Sequence, residues 1–416
     1  MIKELKQKIY NLLRWSEKYT KTDMVYLTKG GSWLTLGNIV SSASSFLLAI
    51  AFANLLPKET YGIYKYILSI AGILAIPTLS GMGTAITQAV ARGYEGSFLP
   101  ALKTKIRWGL LGGLASLALA GYYYFNDNTT LTISFLITAV FLPFMDSFGT
   151  YNALLQGRKL FGISTKYGII SQIIAIAILI ATLFFTKNLF LIILAYFASW
   201  TILRFIFLKI TLKKFPPNQN QDPQTISYGK HLSLISVIGS IAGNLDKILL
   251  WHLLGAGLLA VYSFAMAPVN QISGLLKFIL PLALPKLSLR DGKEIKKELP
   301  GKMFKLFALI ALGVIMFIIL APYLYKIFFP QYMDAVKYSQ LFALVLLFFP
   351  QKLIGAALQA KAKKKALYII SVSNSLIRIA LYLILIPIYG IYGAIIANLI
   401  PYAWNTVLQI YYLKKM

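Results

Sequence analysis

The sequence predicts an all-α polytopic membrane protein, with about twelve transmembrane helices in two parallel-repeat six-helix lobes around a central cavity. Three observations point there. First, 58% of the 416 residues are apolar and only 13% charged, against about 45–50% and about 25% in a soluble domain. The mean hydropathy of +0.70 comes from recurring apolar runs of about 20 residues, the length of a helix that crosses a bilayer. Second, the basic residues cluster at alternate connections between those runs. Third, the two halves carry matching segments at nearly constant offset. This composition excludes a soluble enzyme, a disordered chain and a disulfide scaffold, and the absence of cysteine removes thiol chemistry and Cys-ligated metals.

Taken in order, residues 1–31 are basic, with Ile2, Leu5, Ile9, Leu12 and Leu13 at helical spacing and Lys3, Lys6, Lys8 and Arg14 between them. They read as an interfacial helix on an anionic membrane face, or equally as a solvated basic tail. Apolar stretches between polar or Gly/Pro breaks then place spans at 32–56, 61–90, 107–125, 130–155, 163–186, 188–211, 229–254, 257–285, 303–328, 336–360, 366–387 and 390–412. The first six make an N-lobe (32–212) and the last six a C-lobe (229–416). Between them lies a polar, Pro-rich cytoplasmic linker (213–228). With both termini in the cytoplasm, the inner segments hold 31 Lys and Arg, and the outer loops hold only Lys58, Lys187, Lys326 and Lys337. That is the positive-inside pattern. It accounts for most of the formal +28 charge without a nucleic-acid partner.

The halves repeat. Leu55-Leu56 with Gly62-Ile63-Tyr64-Lys65-Tyr66 corresponds to Leu253-Leu254 with Ala260-Val261-Tyr262-Ser263-Phe264, 198 residues on. Leu154-Leu155-Gln156-Gly157-Arg158 corresponds to Ala357-Leu358-Gln359-Ala360-Lys361, 203 residues on. Six spans are an even number, so a duplicated six-span unit inserts twice with the same orientation, as parallel repeats about the membrane normal.

Leu55-Leu56-Pro57-Lys58-Glu59-Thr60-Tyr61-Gly62-Ile63-Tyr64, followed by Gly81-Met82-Gly83-Thr84-Ala85-Ile86, resembles the opening of the polysaccharide-transport proteins, the Wzx-type oligosaccharide-lipid flippases. Asn244-Leu245-Asp246-Lys247-Ile248-Leu249-Leu250, Leu254-Gly255-Ala256 and Val261-Tyr262 are similar to their seventh-to-eighth span segment. The resemblance extends over essentially the whole chain in span count and spacing. It implies a member of the multidrug/oligosaccharidyl-lipid/polysaccharide exporter superfamily in the prokaryotic cytoplasmic membrane. Such a protein flips a polyprenyl-pyrophosphate-linked oligosaccharide from the inner to the outer leaflet by alternating access. The partners implied are that glycolipid, membrane lipids and other polysaccharide-assembly proteins, with no cofactor. Gln88 departs from the family, whose members often carry a base there, so no role is carried over to it.

Six cations lie inside spans: Lys65, Arg204, Lys247, Lys277, Lys352 and Arg378. A Lys or Arg at mid-bilayer costs about 2.5–3.5 kcal/mol, so six facing lipid would cost on the order of 15–20 kcal/mol, beyond a typical stability of about 5–15. Some must snorkel, which suits Lys65 and Lys352; Arg204, near an inner end, is open to either role. Helical phase puts Lys247, Lys277 and Arg378 on polar stripes: Ser233, Ser236, Ser240, Asn244 and Lys247; Asn270, Ser273 (or Gly274) and Lys277; Ser371, Asn374 (or Ser375), Arg378 and Tyr382. These stripes read as walls of a wet cavity. The uncharged stripe Asn38, Ser41, Ser42 and Ser45 reads as a helix-packing face. Only Asp146 and Asp246 lie within spans, so a shared lumen is cationic and concentrates anions. Arg378 then suits a pyrophosphate oxygen pair, with lysines as point charges and Asn244, Asn270 and Asn374 among the hydrogen-bonding groups. Asp246 either pairs with a cation of another span, carries a coupling H⁺ or Na⁺, or caps a kink; Asp146 is the other candidate for ion coupling.

Prolines inside spans (Pro77, Pro143, Pro268, Pro281, Pro350 and Pro401) mark kinks. Aromatic residues near span ends, such as Tyr122-Tyr123-Tyr124 and Phe328-Phe329, read as an interfacial belt. There is no GxxxxGK[ST] loop for ATP, and His231 and His252 have no acidic neighbours for a metal. Asn128-Thr129-Thr130 matches a glycosylation acceptor, with chance the better explanation. The outer loops are too short for the catalytic carboxylates of a membrane-embedded glycan polymerase or glycosyltransferase, so no enzyme is expected. A multidrug/cation antiporter would want intramembrane acids, the reverse of this charge balance.

Overall fold

The computed structural model describes residues 24–277, 287 and 291–415; most of the basic N-terminal segment, Pro281 and Lys286 lie outside the described residues. Span 1 is one helix, Met24–Leu55, and so begins eight residues before the expected 32. Span 2 is two helices, Lys58–Leu74 and Ile76–Ala91, bent by 47°. Pro77 removes a backbone donor there, the chain tightens into a 3₁₀ turn, and Leu79 takes a left-handed conformation (φ 57). Span 3 is Phe98–Phe125. Span 4 is Thr129–Phe148 continued by Tyr151–Gly157, and spans 5 and 6 are Phe161–Phe185 and Leu189–Lys214. Asn128 is the N-cap of span 4: its side-chain oxygen accepts from the Leu131 N–H at 3.0 Å. Capping explains why asparagine stands at the start of the acceptor-like triplet.

In the second half, two apparent helices are too long for single crossings. Thr225–Leu276 has 52 residues and Lys364–Lys414 has 51, roughly 75 Å each at 1.5 Å per residue against a hydrocarbon core of about 30 Å. Each is divided by a left-handed glycine, Gly255 (φ 80) and Gly390 (φ 56), a conformation other residues adopt only with strain. They therefore supply spans 7 and 8 (225–254, 256–276) and spans 11 and 12 (364–389, 391–414). Span 9 is Gly292–Phe328; span 10 is Ala335–Ala343 continued by Gln351–Ala360 through a 3₁₀ segment. Among the described residues, eight helices are long and apolar enough to cross a membrane unaided, and the bent pair of span 2 makes a ninth crossing. The two divided helices and the more polar span 3 bring the described residues to twelve crossings.

The repeat is visible in the backbone. After span 4, Lys159 is left-handed (φ 62), with Leu160 N–H donating to Leu155 O at 2.8 Å. After span 10, Ala362 is left-handed (φ 51), with Lys363 N–H donating to Leu358 O at 2.9 Å. The same C-terminal cap thus recurs 203 residues apart, the offset of the Gln156 and Gln359 motifs.

Spans 3 and 4 run antiparallel at backbone range because Gly109, Gly112, Gly113 and Ser116 face Pro143, Leu142, Ala139 and Phe135. The halves meet closely too. A Cβ on Gly62 of span 2 would stand 1.9 Å from the Ala256 carbonyl oxygen at the span 7–8 turn. We expect Gly62→Val to lower stability by about 3 kcal/mol, the upper end for overpacking, read as a fall in thermal unfolding midpoint in detergent.

The polar segment between the halves is irregular only over 215–224, and it is clamped rather than loose. Arg158 grips Glu95 through Nε–Oε1 at 2.7 Å and Nη2–Oε2 at 2.5 Å and also donates to Pro216 O. Asn218 N–H donates to Glu95, Asn218 Nδ2 to Gly93 O, and Arg92 pairs with Asp222. The Arg158 hydrogen bonds and the Asn218 N–H hold the Glu95 carboxyl below the usual carboxylate range, against burial, which pushes it up. A depressed folded-state value means this stabilisation is present above the unfolded carboxylate's value and is lost as pH falls through the folded one. The unfolding midpoint of the wild type should therefore exceed that of Glu95→Gln at neutral pH, with the gap closing on acidification.

Candidate functional site

The charged cavity of the bundle lies in the first half and is built on a helix break. At Gly149 span 4 turns: the Gly149 and Thr150 N–H groups both bend to Ser147 O. The Met145 and Asp146 carbonyls are thereby left without their usual donors four residues on. Two cations from neighbouring spans take them. Arg204 Nη1 of span 6 donates to Met145 O at 2.9 Å and to Asp146 Oδ1 at 3.2 Å; Lys105 Nζ of span 3 reaches Asp146 O at 3.5 Å. Lys105 is 6% exposed, and Arg204 is steadied over the Trp200 ring at 5.1 Å. The Asp146 side chain remains 43% exposed, into a cavity of about 580 Å³. Ser80, Thr84 and Gln88, four residues apart on span 2, turn exposed side chains into it opposite Asn152 and Gln156. A second chamber of about 350 Å³ shares Asn152, Gln156 and Arg204 and is closed by Asn38 and Ser41 of span 1 and Gln172 of span 5. The span 1 stripe is thus only partly a packing face: Gln172 Nε2 bonds Ser41 O at 3.2 Å and Ser45 Oγ at 3.3 Å, while Asn38 and Ser41 line the chamber. With two cations to one acid, the joined space carries net positive charge.

A second charged cluster lies where spans 2 and 7 cross. Span 7 breaks at Gly243-Asn244, and Lys247 Nζ takes both the freed Gly243 O and Asp246 Oδ1, each at 3.1 Å. Asp246 Oδ2 accepts from Tyr262 OH of span 8 at 2.7 Å. Asn398 of span 12 ties Tyr262 to Tyr382, accepting from the Tyr382 hydroxyl at 3.1 Å. Asp246 is 2% exposed, with both oxygens occupied. Its partners are its own neighbour and a tyrosine, rather than a cation from another span. Lys65 is within electrostatic reach of this pair, with its Nζ over the Tyr61 ring at 5.9 Å. Asn244 packs against Gly72 of span 2.

The other expected residues fall elsewhere. Arg378 stacks on Tyr402 of span 12 at 5.5 Å; its Nε and the Asn374 Oδ1 one turn earlier are buried with no hydrogen-bond partner among the described residues. The polar faces of spans 7 and 11 do meet: Ser236, Ser240, Ser371 and Ser375 line a cavity of about 370 Å³. Lys352 lies over the Phe349 ring at 4.9 Å, in electrostatic reach of exposed Lys277, and Asn270 is exposed. The six cations thus divide among separate places, and only Arg204 reaches the charged cavity, with Asp146 and the unforeseen Lys105.

At the end of the bundle away from most lysines, the halves are sealed. Phe46 meets Phe328 and Phe329 edge-on at 5.5 and 5.8 Å, and Tyr61 packs on Phe264 at 4.7 Å, itself 3.9 Å from Tyr332. Asn54 Nδ2 donates to Phe328 O at 3.0 Å, and Lys58 pairs with Asp334 at 3.2 Å. Phe329, 1% exposed, therefore belongs to this plug and not to an interfacial belt. Tyr122, Tyr124 and Phe125 are exposed, as a belt requires.

Comparison with known proteins follows this architecture. A family model described as polysaccharide biosynthesis protein matches residues 27–288. An uncharacterized membrane protein of Methanocaldococcus jannaschii is 25% identical, covering 93% of this chain and 84% of its own length. A putative O-antigen transporter of Shigella flexneri is 23% identical over 65% of this chain and 67% of its own. Among solved structures, the lipid II flippase MurJ in an inward closed conformation superposes with a TM-score of 0.70 at 16% identity, covering 91% of this chain and 87% of that one. An outward-facing MATE multidrug transporter gives 0.65 at 13%, covering 94% and 95%. The fold is that of these transporters. The chain, a multi-pass membrane protein, belongs to the polysaccharide biosynthesis protein family.

Proposed function

We propose that the chain carries a polyprenyl-pyrophosphate-linked oligosaccharide from the inner to the outer leaflet of a prokaryotic cytoplasmic membrane. Its basic end faces the cytoplasm, and residues 32–212 and 229–416 act as two lobes that rock about the clamped linker. The observation that carries this reading is the net-positive chamber of Lys105, Asp146 and Arg204, on the basic side of an aromatic seal. An anionic diphosphate gains charge-assisted hydrogen bonds there, the amide and hydroxyl side chains of Gln88, Asn152, Gln156 and Thr84 meet sugar hydroxyls, and the polyprenyl tail stays in lipid. From the second half, Arg378 adds a guanidinium charge whose buried Nε has no hydrogen-bond partner among the described residues. Lys65, Lys247, Lys277 and Lys352 keep the remaining path attractive to anions. Transport requires the seal between Lys58, Phe328 and Tyr332 to part. A cation antiporter is disfavoured because Asp246 is buried with both oxygens bonded and Asp146 is held by Arg204. The test is reconstitution of the purified chain in liposomes holding a fluorescent pyrophosphate-linked glycolipid: label should become accessible in the opposite leaflet at a rate proportional to protein. A rate equal to protein-free liposomes would refute the reading.

A further inference from the structure

Far from the charged chamber, spans 9, 10 and 12 leave a groove of about 1000 Å³ between them. Its walls are apolar, from Phe304 and Phe307 of span 9, Leu347 of span 10 and Ile400 and Ile410 of span 12. Its floor is closed by a hydrogen bond from Thr406 Oγ1 to Gln351 Oε1 at 2.9 Å. Charge enters at one end only, where Lys296 and Lys414, both exposed, flank the mouth. From Lys414 to Leu399 the wall rises about 22 Å along span 12 at 1.5 Å per residue. That is one leaflet of a bilayer about 40–45 Å thick including headgroups.

We propose that this groove is a binding site for one anionic phospholipid of the leaflet at the basic end, its phosphate between Lys296 and Lys414 and its acyl chains along Phe307 and Ile400. Three observations choose this occupant. The groove's walls are apolar, the polar pair on its floor is bonded to itself, and its charge is confined to the mouth. The mouth is doubly cationic and sits at headgroup level. The length matches a leaflet, so a polyprenyl chain, much longer than a leaflet is deep, would overrun it. The bound lipid ties three spans of the second half together beside Pro350, and the inference stands whatever the chain transports.

The test uses the full chain purified in mild detergent, native mass spectrometry, and phosphatidylglycerol against phosphatidylcholine of the same acyl composition. Two lysines at about fivefold each give a preference for phosphatidylglycerol of about 25-fold. Lys296→Gln with Lys414→Gln should erase the preference while leaving the folded chain intact, since both side chains are exposed. Ala403→Trp, which fills an exposed part of the groove, should lower retention of both lipids with thermal stability unchanged. Equal retention of the two lipids by the wild type, a preference that survives the double lysine change, or polyprenyl phosphate displacing phosphatidylglycerol from the site would overturn the proposal.

Discussion

Arg204→Gln should raise the glycolipid concentration needed for half-maximal flipping by about 10- to 100-fold, the worth of one hydrogen bond to a charged group, and adding Lys105→Gln should reduce flipping to background. Arg204 bonds both the Met145 carbonyl and the Asp146 carboxylate, and glutamine retains a donor for the carbonyl, so the helix break survives while the charge is lost. The neighbouring carboxylate supplies a control of opposite sign. Asp146→Asn removes the one negative charge beside the two cations and should lower the half-maximal concentration. Initial rates against lipid concentration in liposomes separate the two directions; an Asp146→Asn variant weakened like Arg204→Gln would mean that the triad serves structure alone.

Joining the sealed ends covalently should stop transport outright. Lys58 and Asp334 face each other across the halves at 3.2 Å, beside the Phe46, Phe328 and Phe329 plug. The chain has no cysteine, so Lys58→Cys with Asp334→Cys gives a disulfide, or a short bis-thiol bridge, without background. We expect oxidation to reduce flipping to the protein-free rate and reductant to restore it, with each single variant indifferent to both. Both lysine and aspartate are partly exposed, so the ion pair itself contributes little stability, and Lys58→Gln alone should leave the rate within about twofold of wild type on that ground. Full transport by the oxidised double variant would show that the halves need not separate there.

Much of the fold was legible because it rests on coarse physics. Apolar length marks the crossings, and the two offset motifs mark a repeat that the backbone repeats at Lys159 and Ala362. Gly255 and Gly390, which divide the two longest helices, fall at the breaks the sequence places between residues 254 and 257 and between 387 and 390, and their positive φ makes the turns. The site was less legible. Lys105 follows Lys103 and precedes Arg107, so it reads as one more cation at a span end. Its phase was the available signal: with Gly109, Gly112 and Ser116 it lies on the small-residue face that packs against span 4, where a lysine must find an acceptor. Nothing in the sequence announces that acceptor, since the carbonyls are freed by the turn at Gly149 and not by Pro143. Asp246 was ambiguous for a similar reason, its decisive partner Tyr262 being a turn and a span away. Phe328 and Phe329 sit at a span end where a belt is the ordinary expectation, and only the approach of Phe46 from the other half makes them a plug.

The most direct measurement is competition for the chamber. A fluorescent polyprenyl-pyrophosphate glycolipid bound to the purified chain is displaced either by unlabelled polyprenyl pyrophosphate or by the matching neutral polyprenol, in wild type and in the Arg204→Gln/Lys105→Gln variant. The account predicts that the pyrophosphate displaces at concentrations at least about 100-fold lower than the polyprenol in the wild type, as two charge-assisted contacts require, and that the variant abolishes this advantage. Equal displacement by the two lipids, or an advantage that persists in the variant, would contradict it.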